Sequence, residues 1–247
     1  MFGKQKIKFI FVTTLLFLLI AVFFLSQTQK SIEESFLNYV VDPRQQDVRL
    51  YWKNEQQETF RSIKNLNEWL GKNHKRLVFA MNAGMYKPGN SPQGLFIENK
   101  RLITPLDTSS GNGNFYLKPN GVFYINVTNQ PFICKTTSFS DQGNVKYATQ
   151  SGPMLVIDGQ IHPAFKQSST NLNIRNGVGI LPDGKVIFAM SKNVINLHDF
   201  ACYFKRKGCR NALYLDGLVS RTYLPEQNWI QTDGDFGVII GVTINLR

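Results

Sequence analysis

The chain has 247 residues, three cysteines and a formal net charge of +11. Three cysteines are too few for a fold built from disulfides. The positive excess suits an anionic partner such as a phosphate-bearing glycan or a lipid headgroup, whereas the lack of an arginine-rich helix or an aromatic RNP-like stretch argues against binding of nucleic acid.

The N-terminus carries a membrane-targeting pattern. A basic segment, residues 1–8, precedes an apolar run of about 17 residues, 9–25, which is the lower limit for a helix that crosses a bilayer. The run ends without a small-x-small site, which favours a transmembrane signal anchor over a cleaved signal peptide. Because the lysines precede the run, the positive-inside rule keeps residues 1–8 in the cytoplasm and puts the rest on the periplasmic or extracellular side.

The exported part is predicted to consist of a stalk and one domain. Residues 26–48 are polar and mixed, as in a linker, and residues 49–247 are enough for one domain with a sizeable core. Apolar residues at near-helical spacing predict a helix over residues 59–70, with Gly71 as its stop.

Short apolar runs separated by Gly, Pro and Asn follow, and their spacing indicates a sheet-rich fold. The runs are 77–81, 94–97, 115–117, 122–125, 154–157, 212–215 and 236–244. Glycine-containing turns at 119–121, 158–159 and 182–184 predict hairpins. A second helix is predicted over residues 195–207, because basic residues and then Gly208 follow its apolar face. The fold class is therefore α+β, a sheet-rich single domain with a few helices behind an N-terminal signal anchor.

Polar residues interrupt this pattern at four strand ends, where catalytic groups can lie on a rigid frame. The four segments are 82–86, 149–153, 173–179 and 215–221. Each alone is typical of a turn, but their common placement predicts one shared cleft.

Together and in this order, the four segments resemble the phosphodiester glycosidase family. Residues 82–86 are similar to the family's Asn-x-Gly-aromatic opening, and 151–159 to its Gly-Pro strand and hairpin. Residues 175–184 match its Arg-x-x-x-Gly and Asp-Gly pair, and 211–217 match its Leu-Asp-Gly strand. The family's founding activity removes N-acetylglucosamine from the mannose-6-phosphate cover of lysosomal enzymes. The resemblance therefore implies a hydrolase of sugar-phosphate diesters.

The sequence departs from the family pattern after Gly217. Members with known activity typically continue Leu-Asp-Gly with two more glycines and a serine, whereas here Leu218 and Val219 precede Ser220. Side chains at these positions limit close approach of the backbone to a ligand. The departure therefore puts the substrate, and catalysis itself, in question.

Cleavage of a sugar-phosphate bond needs a carboxylate and an anion clamp more than a strong acid, because phosphate is already a good leaving group. Asp216 is the predicted catalytic carboxylate, as nucleophile or as base for water. Arg175 is the predicted phosphate clamp, because a guanidinium offers a planar fork for phosphate oxygens. The alternatives are a buried acid that bonds loop amides for Asp216 and an ion pair beside a turn for Arg175.

Five further residues are candidates for substrate binding. Asn82, Ser151 and Ser220 are predicted to bond sugar hydroxyls or to orient the carboxylate. Gly84 and Gly152 are predicted to offer bare amides to an oxyanion. Turn chemistry is an equal alternative for each of the five.

The remaining reactive residues give weaker signals. His162 and His198 have no partner in a motif, so we expect structural roles. Cys202 and Cys209 are close in sequence and are a candidate disulfide in an oxidising compartment, with free thiols as the equal alternative. No cofactor and no metal site is predicted: the sequence lacks His-x-x-x-His and paired cysteine spacing, so a divalent cation has no support.

Two functions from different classes remain open. The first is an envelope-exposed phosphodiester glycosidase, whose partner is a sugar-phosphate or envelope glycan substrate. The second is a catalytically silent module that binds glycan or phospholipid on the same fold. The presence of Arg175 and Asp216 in their motifs favours the enzyme, whereas Leu218 and Val219 favour the module. Turnover of sugar-1-phosphodiesters distinguishes the two.

Overall fold

The computed structural model of the protein describes residues 33–217 and 219–246. The chain divides into two compact units, residues 1–37 and 38–247, and the two helices and almost all strands with described bounds lie in the second. Among the described residues, no helix has the length and apolar character needed to span a membrane. The predicted anchor, residues 9–25, lies outside them.

The regular elements with described bounds are short strands and two α-helices. The strands are β1 (Phe36–Val41), β2 (Asp47–Tyr51), β3 (Lys75–Asn82), β4 (Tyr86–Lys87), β5 (Ser91–Pro92), β6 (Phe96–Glu98), β7 (Arg101–Thr104), β8 (Gly121–Asn126), β9 (Pro131–Lys135), β10 (Val145–Ser151), β11 (Met154–Ile157), β12 (Gln160–Ile161), β13 (Asn176–Ile180), β14 (Val186–Ser191), β15 (Ala212–Asp216), β16 (Thr222–Leu224), β17 (Trp229–Ile230) and β18 (Ile239–Asn245). The helices are α1 (Ile63–Lys72) and α2 (Leu197–Arg206). A sheet-rich α+β domain is therefore confirmed.

The strands form three larger sheets and one small hairpin. Their orders are β1-β14-β13-β15-β11-β12, β7-β6-β10-β8-β9 and β17-β16-β3-β18-β2, with β4-β5 apart. In the first sheet the central strands β13 and β15 are antiparallel, and Asn176 is the register partner of Asp216. This pairing brings two predicted polar segments, 173–179 and 215–221, side by side, although they are far apart in sequence.

Helix α2 packs on this sheet because β13 carries two glycines. A Cβ at Gly177 would meet the ring of Phe200, and a Cβ at Gly179 would meet Phe204 and Cys209. Both phenylalanines are fully buried on α2. Asn196 caps the start of the helix by accepting from the backbone N–H at residue 199. Gly208, with φ +80°, follows its end, so the predicted second helix is confirmed.

Helix α1 begins and ends later than predicted. Ser62 is its N-cap and accepts from the backbone N–H of Asn65, whereas the preceding Arg61 has φ +61° and cannot belong to a helix. At the other end, Gly71 lies inside the helix and Asn73 caps it, so the predicted glycine stop is wrong. The chain leaves the helix through His74 at φ +55°.

Other predicted elements differ in instructive ways. Residues 115–117, predicted as a strand, overlap with a 3-10 helix (Asn114–Tyr116) in which Phe115 is buried, so 119–121 does not join two hairpin strands. The turns 158–159 and 182–184 do join antiparallel pairs, β11 with β12 and β13 with β14. Strand β1 and the first residues of β2 fall in the range predicted as stalk, so folded structure begins before residue 49.

Candidate active site

A cavity of about 400 Å³ collects residues from three of the four predicted polar segments. Its wall is formed by Met85, Tyr86, Gln93, Asn114, Asn171, Asn173, Tyr214, Asp216, Gly217 and Val219. Among these lining residues Asp216 is the single one with a carboxyl group. The segment 149–153 contributes no lining residue. It contacts the wall strand β15 through Ser151, which donates to the backbone oxygen of Leu215.

Asp216 ends strand β15 and lies in the wall of this cavity with 6% of its surface exposed. Its Oδ1 accepts from the backbone N–H of Gly217 at 2.6 Å, and its Oδ2 accepts from Nδ2 of Asn82 at 3.3 Å. Hydrogen bonds from donors favour the ionised form of a carboxylate. The geometry therefore suits a carboxylate that acts as nucleophile or base.

Two buried asparagines hold the carboxylate in place. Oδ1 of Asn82 accepts from Nδ2 of Asn176 at 2.8 Å and from the backbone N–H of Arg221 at 2.9 Å. Because these donors require an oxygen acceptor, Nδ2 of Asn82 is the group that faces Asp216. Oδ1 of Asn176 accepts from the backbone N–H of Asp216 at 2.8 Å. Asn176 was not among the predicted site residues, although it lies in the matched motif.

The two predicted serines brace strand β15 and its exit. Ser151 is fully buried and donates to the backbone oxygen of Leu215 at 2.8 Å. Ser220 donates to the backbone oxygens of Asp216 and Ile174 at 3.0 and 3.2 Å. Each hydroxyl thus fixes the backbone next to the carboxylate, and contact of either serine with a sugar stays a prediction.

The two predicted glycines permit close packing of chain segments. A Cβ at Gly84 would lie 2.7 Å from the backbone oxygen of Gln150. A Cβ at Gly152 would lie 2.5 Å from Cβ of Asn120. Real Cβ atoms do not approach so closely, so both positions have a packing reason to be glycine. Their predicted role as oxyanion donors stays untested.

Arg175 is fully buried and is not part of the cavity wall. Its Nε donates to the backbone oxygen of Ile195 at 2.7 Å, and its Nη2 donates to the backbone oxygen and Oδ1 of Asn171 at 2.8 and 3.1 Å. Nη1 donates to Oη of Tyr214 at 3.0 Å. Among the described residues no carboxylate forms a salt bridge with this guanidinium within 4.0 Å. Direct contact of Arg175 with a phosphate stays a prediction.

Tyr214 is a functional candidate that the sequence analysis missed. It lies two residues before Asp216 on β15, on the other side of a register shift in the pairing of β15 with β13, and both residues line the cavity. Burial raises the pKa of Tyr214 to about 12, although the adjacent Arg175 opposes the rise. The hydroxyl therefore stays protonated at neutral pH. Its place in the matched Leu-Asp-Gly segment, two residues before Asp216, was the signal that would have found it.

Tyr86 adds a second tyrosine to the wall, at the start of β4. Burial and then the charge of Asp216 raise the pKa of its hydroxyl. Its Oη donates to the backbone oxygen of Asp235 at 2.7 Å. This bond fixes the ring of Tyr86 in the cavity wall near Asp216. The hydroxyl is engaged, so the aromatic face is the part of Tyr86 that a ligand can contact.

A cluster outside the cavity has ligand atoms that a metal could use. His198, Asp199 and Cys202, in the first turns of α2, have ligand atoms within 4.8 Å of one another. Asp199 already bonds Nδ2 of Asn196 at 3.1 Å through Oδ2 and faces Nδ1 of His198 at 3.0 Å through Oδ1. These bonds give the acid a capping role at the helix start. None of these three residues lines the cavity that contains Asp216.

The predicted disulfide between Cys202 and Cys209 is not formed, and both are free thiols. Sγ of Cys202 lies 3.8 Å from Nδ1 of His198. Cys209 is buried, with its Sγ next to Gly179 of β13, and burial raises the pKa of its thiol to about 12. The two sulfurs have different surroundings, so the free-thiol alternative describes the structure. His162, stacked on Phe165, also lies outside the cavity wall.

Comparison with known families agrees with the motifs around this cavity. The model of the family described as phosphodiester glycosidase matches residues 75–242. The chain belongs to the phosphodiester glycosidase family. Uncharacterized protein YigE of Escherichia coli (strain K12) is similar to it, with 36% identity over 187 residues that cover 75% of this chain and 73% of that protein.

Solved structures share the fold of this phosphodiester glycosidase domain. The catalytic domain of zebrafish N-acetylglucosamine-1-phosphodiester alpha-N-acetylglucosaminidase, auto-inhibited by its pro-peptide, superposes with a TM-score of 0.58 at 14% identity, covering 84% of this chain and 82% of that one. A putative exported protein of Burkholderia pseudomallei gives a TM-score of 0.56 at 9% identity, with 84% and 73% coverage. At such identities the likeness establishes the fold alone.

The departure from the phosphodiester glycosidase pattern falls in the cavity wall. Val219 lines the cavity and packs against the apolar cluster that includes Phe236 and Ile239. The matching position is typically glycine in members with known activity. A valine there narrows the space beside Gly217, so it bears on which substrate fits.

Proposed function

We propose that this protein hydrolyses sugar-1-phosphodiesters in the cavity lined by Asp216, on the periplasmic or extracellular side of a membrane to which its N-terminal segment anchors it. The observation that carries the proposal is the Asp216 carboxylate. It is positioned by two buried asparagines and still reaches the cavity wall. Family membership supports the reaction class.

In the proposed reaction, the bond between the anomeric carbon and the phosphate oxygen breaks, and its electron pair leaves with the phosphate. Positive charge develops on the sugar ring, which an ionised carboxylate stabilises. As nucleophile, Asp216 bonds the anomeric carbon and water later displaces it. As base, it takes a proton from the attacking water, whose oxygen bonds the sugar. The released phosphate monoester needs no protonation to depart, which fits a wall whose single carboxyl group is that of Asp216.

The buried positive charge of Arg175 supports the phosphate side of this proposal. A cation without a salt-bridge partner raises the potential around it, and low-dielectric surroundings screen it less than water does. Nη1 lies 3.4 Å from where a Cβ of Gly217 would be, so the charge is close to the wall. An anion that enters the cavity would therefore be attracted even without touching the guanidinium.

The test is turnover by the full chain with a panel of sugar-1-phosphodiesters that differ in sugar and aglycone. We expect release of sugar and phosphate monoester from at least one diester, and a fall of about 10² to 10⁴ in kcat for Asp216→Asn. Asp183→Asn is the matched control, because Asp183 pairs with Lys185 in the turn between β13 and β14. Equal turnover by Asp216→Asn and the parent protein would refute the catalytic role.

A second candidate function is a module that binds the same ligands without cleaving them. Val219 in the cavity wall favours it, because its side chain occupies space that family members with known activity leave open. Binding of a sugar-1-phosphodiester without turnover would support this function. Recovery of turnover in Val219→Gly would identify the valine as the cause.

A further inference from the structure

Arg175 forms no salt bridge with an acid in the described part of the chain. Its side chain is fully buried. Buried charges are ordinarily paired, because an uncompensated one is costly. Backbone and side-chain oxygens of Ile195, Asn171 and Tyr214 solvate this cation, but they carry no full negative charge.

An arginine has only donors, so every group it bonds must present a lone pair to it. Tyr214 presents its Oη, so the hydroxyl proton must point away from Arg175. Asn171 presents Oδ1 and also accepts there from Nδ2 of Asn173 at 2.9 Å. The amide orientation of Asn171 is thereby fixed, and its NH₂ group is turned away from the guanidinium.

Both of these groups belong to the cavity wall. The hydroxyl of Tyr214 has a further side-chain hydrogen bond with Asn114 of the same wall, which lowers the pKa of Tyr214 as a donor does. In the described part of the chain, neither the Tyr214 hydroxyl nor the Asn171 NH₂ group donates a hydrogen bond. A donor that itself accepts from a cation is a stronger donor, because hydrogen bonds in series polarise one another. The wall therefore offers two polarised donors, backed by one buried positive charge.

We infer that the Tyr214 hydroxyl and the Asn171 amide form the subsite for the anionic phosphate group of the ligand, and that Arg175 is a positioning residue which builds this subsite without touching the anion. The inference rests on the proposed function for the identity of the anion as a phosphate ester. In this arrangement Arg175 acts on the phosphate through Tyr214 and Asn171, whereas the sequence predicted direct contact of Arg175 with the phosphate.

The placement of Tyr214 and Asp216 fits this arrangement. Both residues line the cavity, and they lie on either side of the register shift in the pairing of β15 with β13. In a sugar-1-phosphate ester the phosphorus and the anomeric carbon share one oxygen. A phosphate at Tyr214 can therefore leave its sugar carbon facing Asp216, and the separation keeps the two negative charges from direct contact.

Calorimetric titration of the full chain with inorganic phosphate tests the subsite without any need for turnover. We expect Tyr214→Phe to weaken phosphate binding about tenfold, the usual loss for one hydrogen bond to a charged group. Tyr147→Phe is the matched control, because Tyr147 is equally buried and bonds Asn99 in another sheet. It should bind phosphate as the parent does.

Asn171→Asp is the sharper variant, because it gives Arg175 a carboxylate partner. If Arg175 had only a structural role, this ion pair would leave ligand binding unchanged. The subsite instead requires that thermal stability is kept or raised while phosphate affinity falls on the order of 100-fold, since the new acid cancels the charge and repels the anion.

The outcomes separate this inference from the proposed function. Phosphate binding that is weakened by Tyr214→Phe and lost in Asn171→Asp supports the subsite, even if no diester in the panel is cleaved. Unchanged phosphate affinity in Tyr214→Phe overturns it, even if the parent protein is an active glycosidase. A parent protein that binds no phosphate overturns it as well.

Discussion

The hydroxyl of Tyr214 occupies the space next to Gly217 into which a Cβ would project, and Nη1 of Arg175 lies 3.4 Å from the same point. Position 217 of the Leu-Asp-Gly segment is therefore restricted to glycine by sterics, independently of its backbone conformation. Only a residue without a side chain lets the Arg175–Tyr214 hydrogen bond form directly beside Asp216.

Gly217→Ala should consequently displace the Tyr214 hydroxyl. Overpacking of this kind costs about 1–3 kcal/mol of unfolding free energy, and we expect kcat/KM to fall at least about tenfold, equivalent to roughly 1.4 kcal/mol. Removing the hydroxyl relieves the collision, so the double variant with Tyr214→Phe should regain most of the lost stability. Purely additive losses in urea unfolding would contradict the steric explanation.

The glycines of β13 are expected to act through packing alone. Gly177→Ala would push a methyl group against Phe200 and the backbone of Leu213, at a cost of about 1–3 kcal/mol. Gly71→Ala is the matched control, because a Cβ at Gly71 meets nothing within 4 Å and alanine favours helix. Thermal unfolding should separate the two variants. Turnover per folded molecule should be unchanged in both.

The sequence predicts elements well where pattern and turn chemistry agree. Strand β11 has the predicted bounds, and its hairpin turn has Asp158 and Gly159 at φ +50° and +82°, the positive values that such a turn requires. The strand predicted at residues 115–117 is wrong, because a short apolar run has no distinctive period. A 3-10 turn buries such a run equally well. The predicted start of helix α1 is wrong because the N-cap serine, Ser62, fixes where the helix begins, and apolar spacing alone does not show this.

The candidate site was predictable as a set of segments but not as contacts. Asp216 and Asn82 were singled out because they end apolar strands, and they do meet. The burial of Arg175 could not be foreseen, since it depends on backbone oxygens of Asn171 and Ile195 that the tertiary fold brings to one side chain. A single sequence gives residue types and order, whereas carbonyl positions follow only from the packed chain.

Glu98 is expected to make stability depend on pH. Burial raises the pKa of its carboxyl from 4.5 to about 7, so the folded state holds its proton more tightly than the unfolded chain does. Stability should therefore fall as pH rises from about 4.5 to 7 and stay lower above that range. Allowing for solvent screening, Glu98→Gln should gain about 1–2 kcal/mol relative to the parent at pH 8 and little at pH 4.

Urea unfolding at both pH values measures this effect. Glu68→Gln, in an exposed i,i+4 pair with Lys64 on helix α1, is the control and should show no comparable gain at pH 8. A Glu98→Gln variant whose advantage is the same at pH 4 and pH 8 would show that the gain does not come from titration of this carboxyl.

The apolar run 9–25 predicts that the mature protein keeps its N-terminus in the membrane. We expect alkaline extraction to leave the full-length chain in the membrane fraction, because a run of about 17 apolar residues inserts firmly. N-terminal sequencing of the purified protein is the measurement. A mature chain that starts near residue 27 would contradict the anchor and indicate a cleaved signal peptide.

Asn82 is expected to be a positioning residue for Asp216. Its Nδ2 donates to the carboxylate at 3.3 Å, while its Oδ1 is held by Asn176 and the backbone N–H of Arg221. In Asn82→Ala the carboxylate loses one donor, so kcat should fall about tenfold with little change in KM. The acidic limb of the pH profile should move to higher pH, because the ionised carboxylate is less stabilised.

Asn82→Asp gives the stronger form of this test. The new carboxylate can still accept from Asn176 and Arg221, so the local hydrogen bonds that depend on Oδ1 survive. Its second oxygen, however, replaces the donor that faces Asp216, and two carboxylates at this distance resist joint ionisation. The acidic limb should therefore shift further than in Asn82→Ala.

Asn120→Ala is the control, because it removes another buried asparagine, which is bonded to Phe115. This variant should lower stability but leave the pH profile in place. If all three variants have the parental profile, Asn82 supports the fold without acting on Asp216.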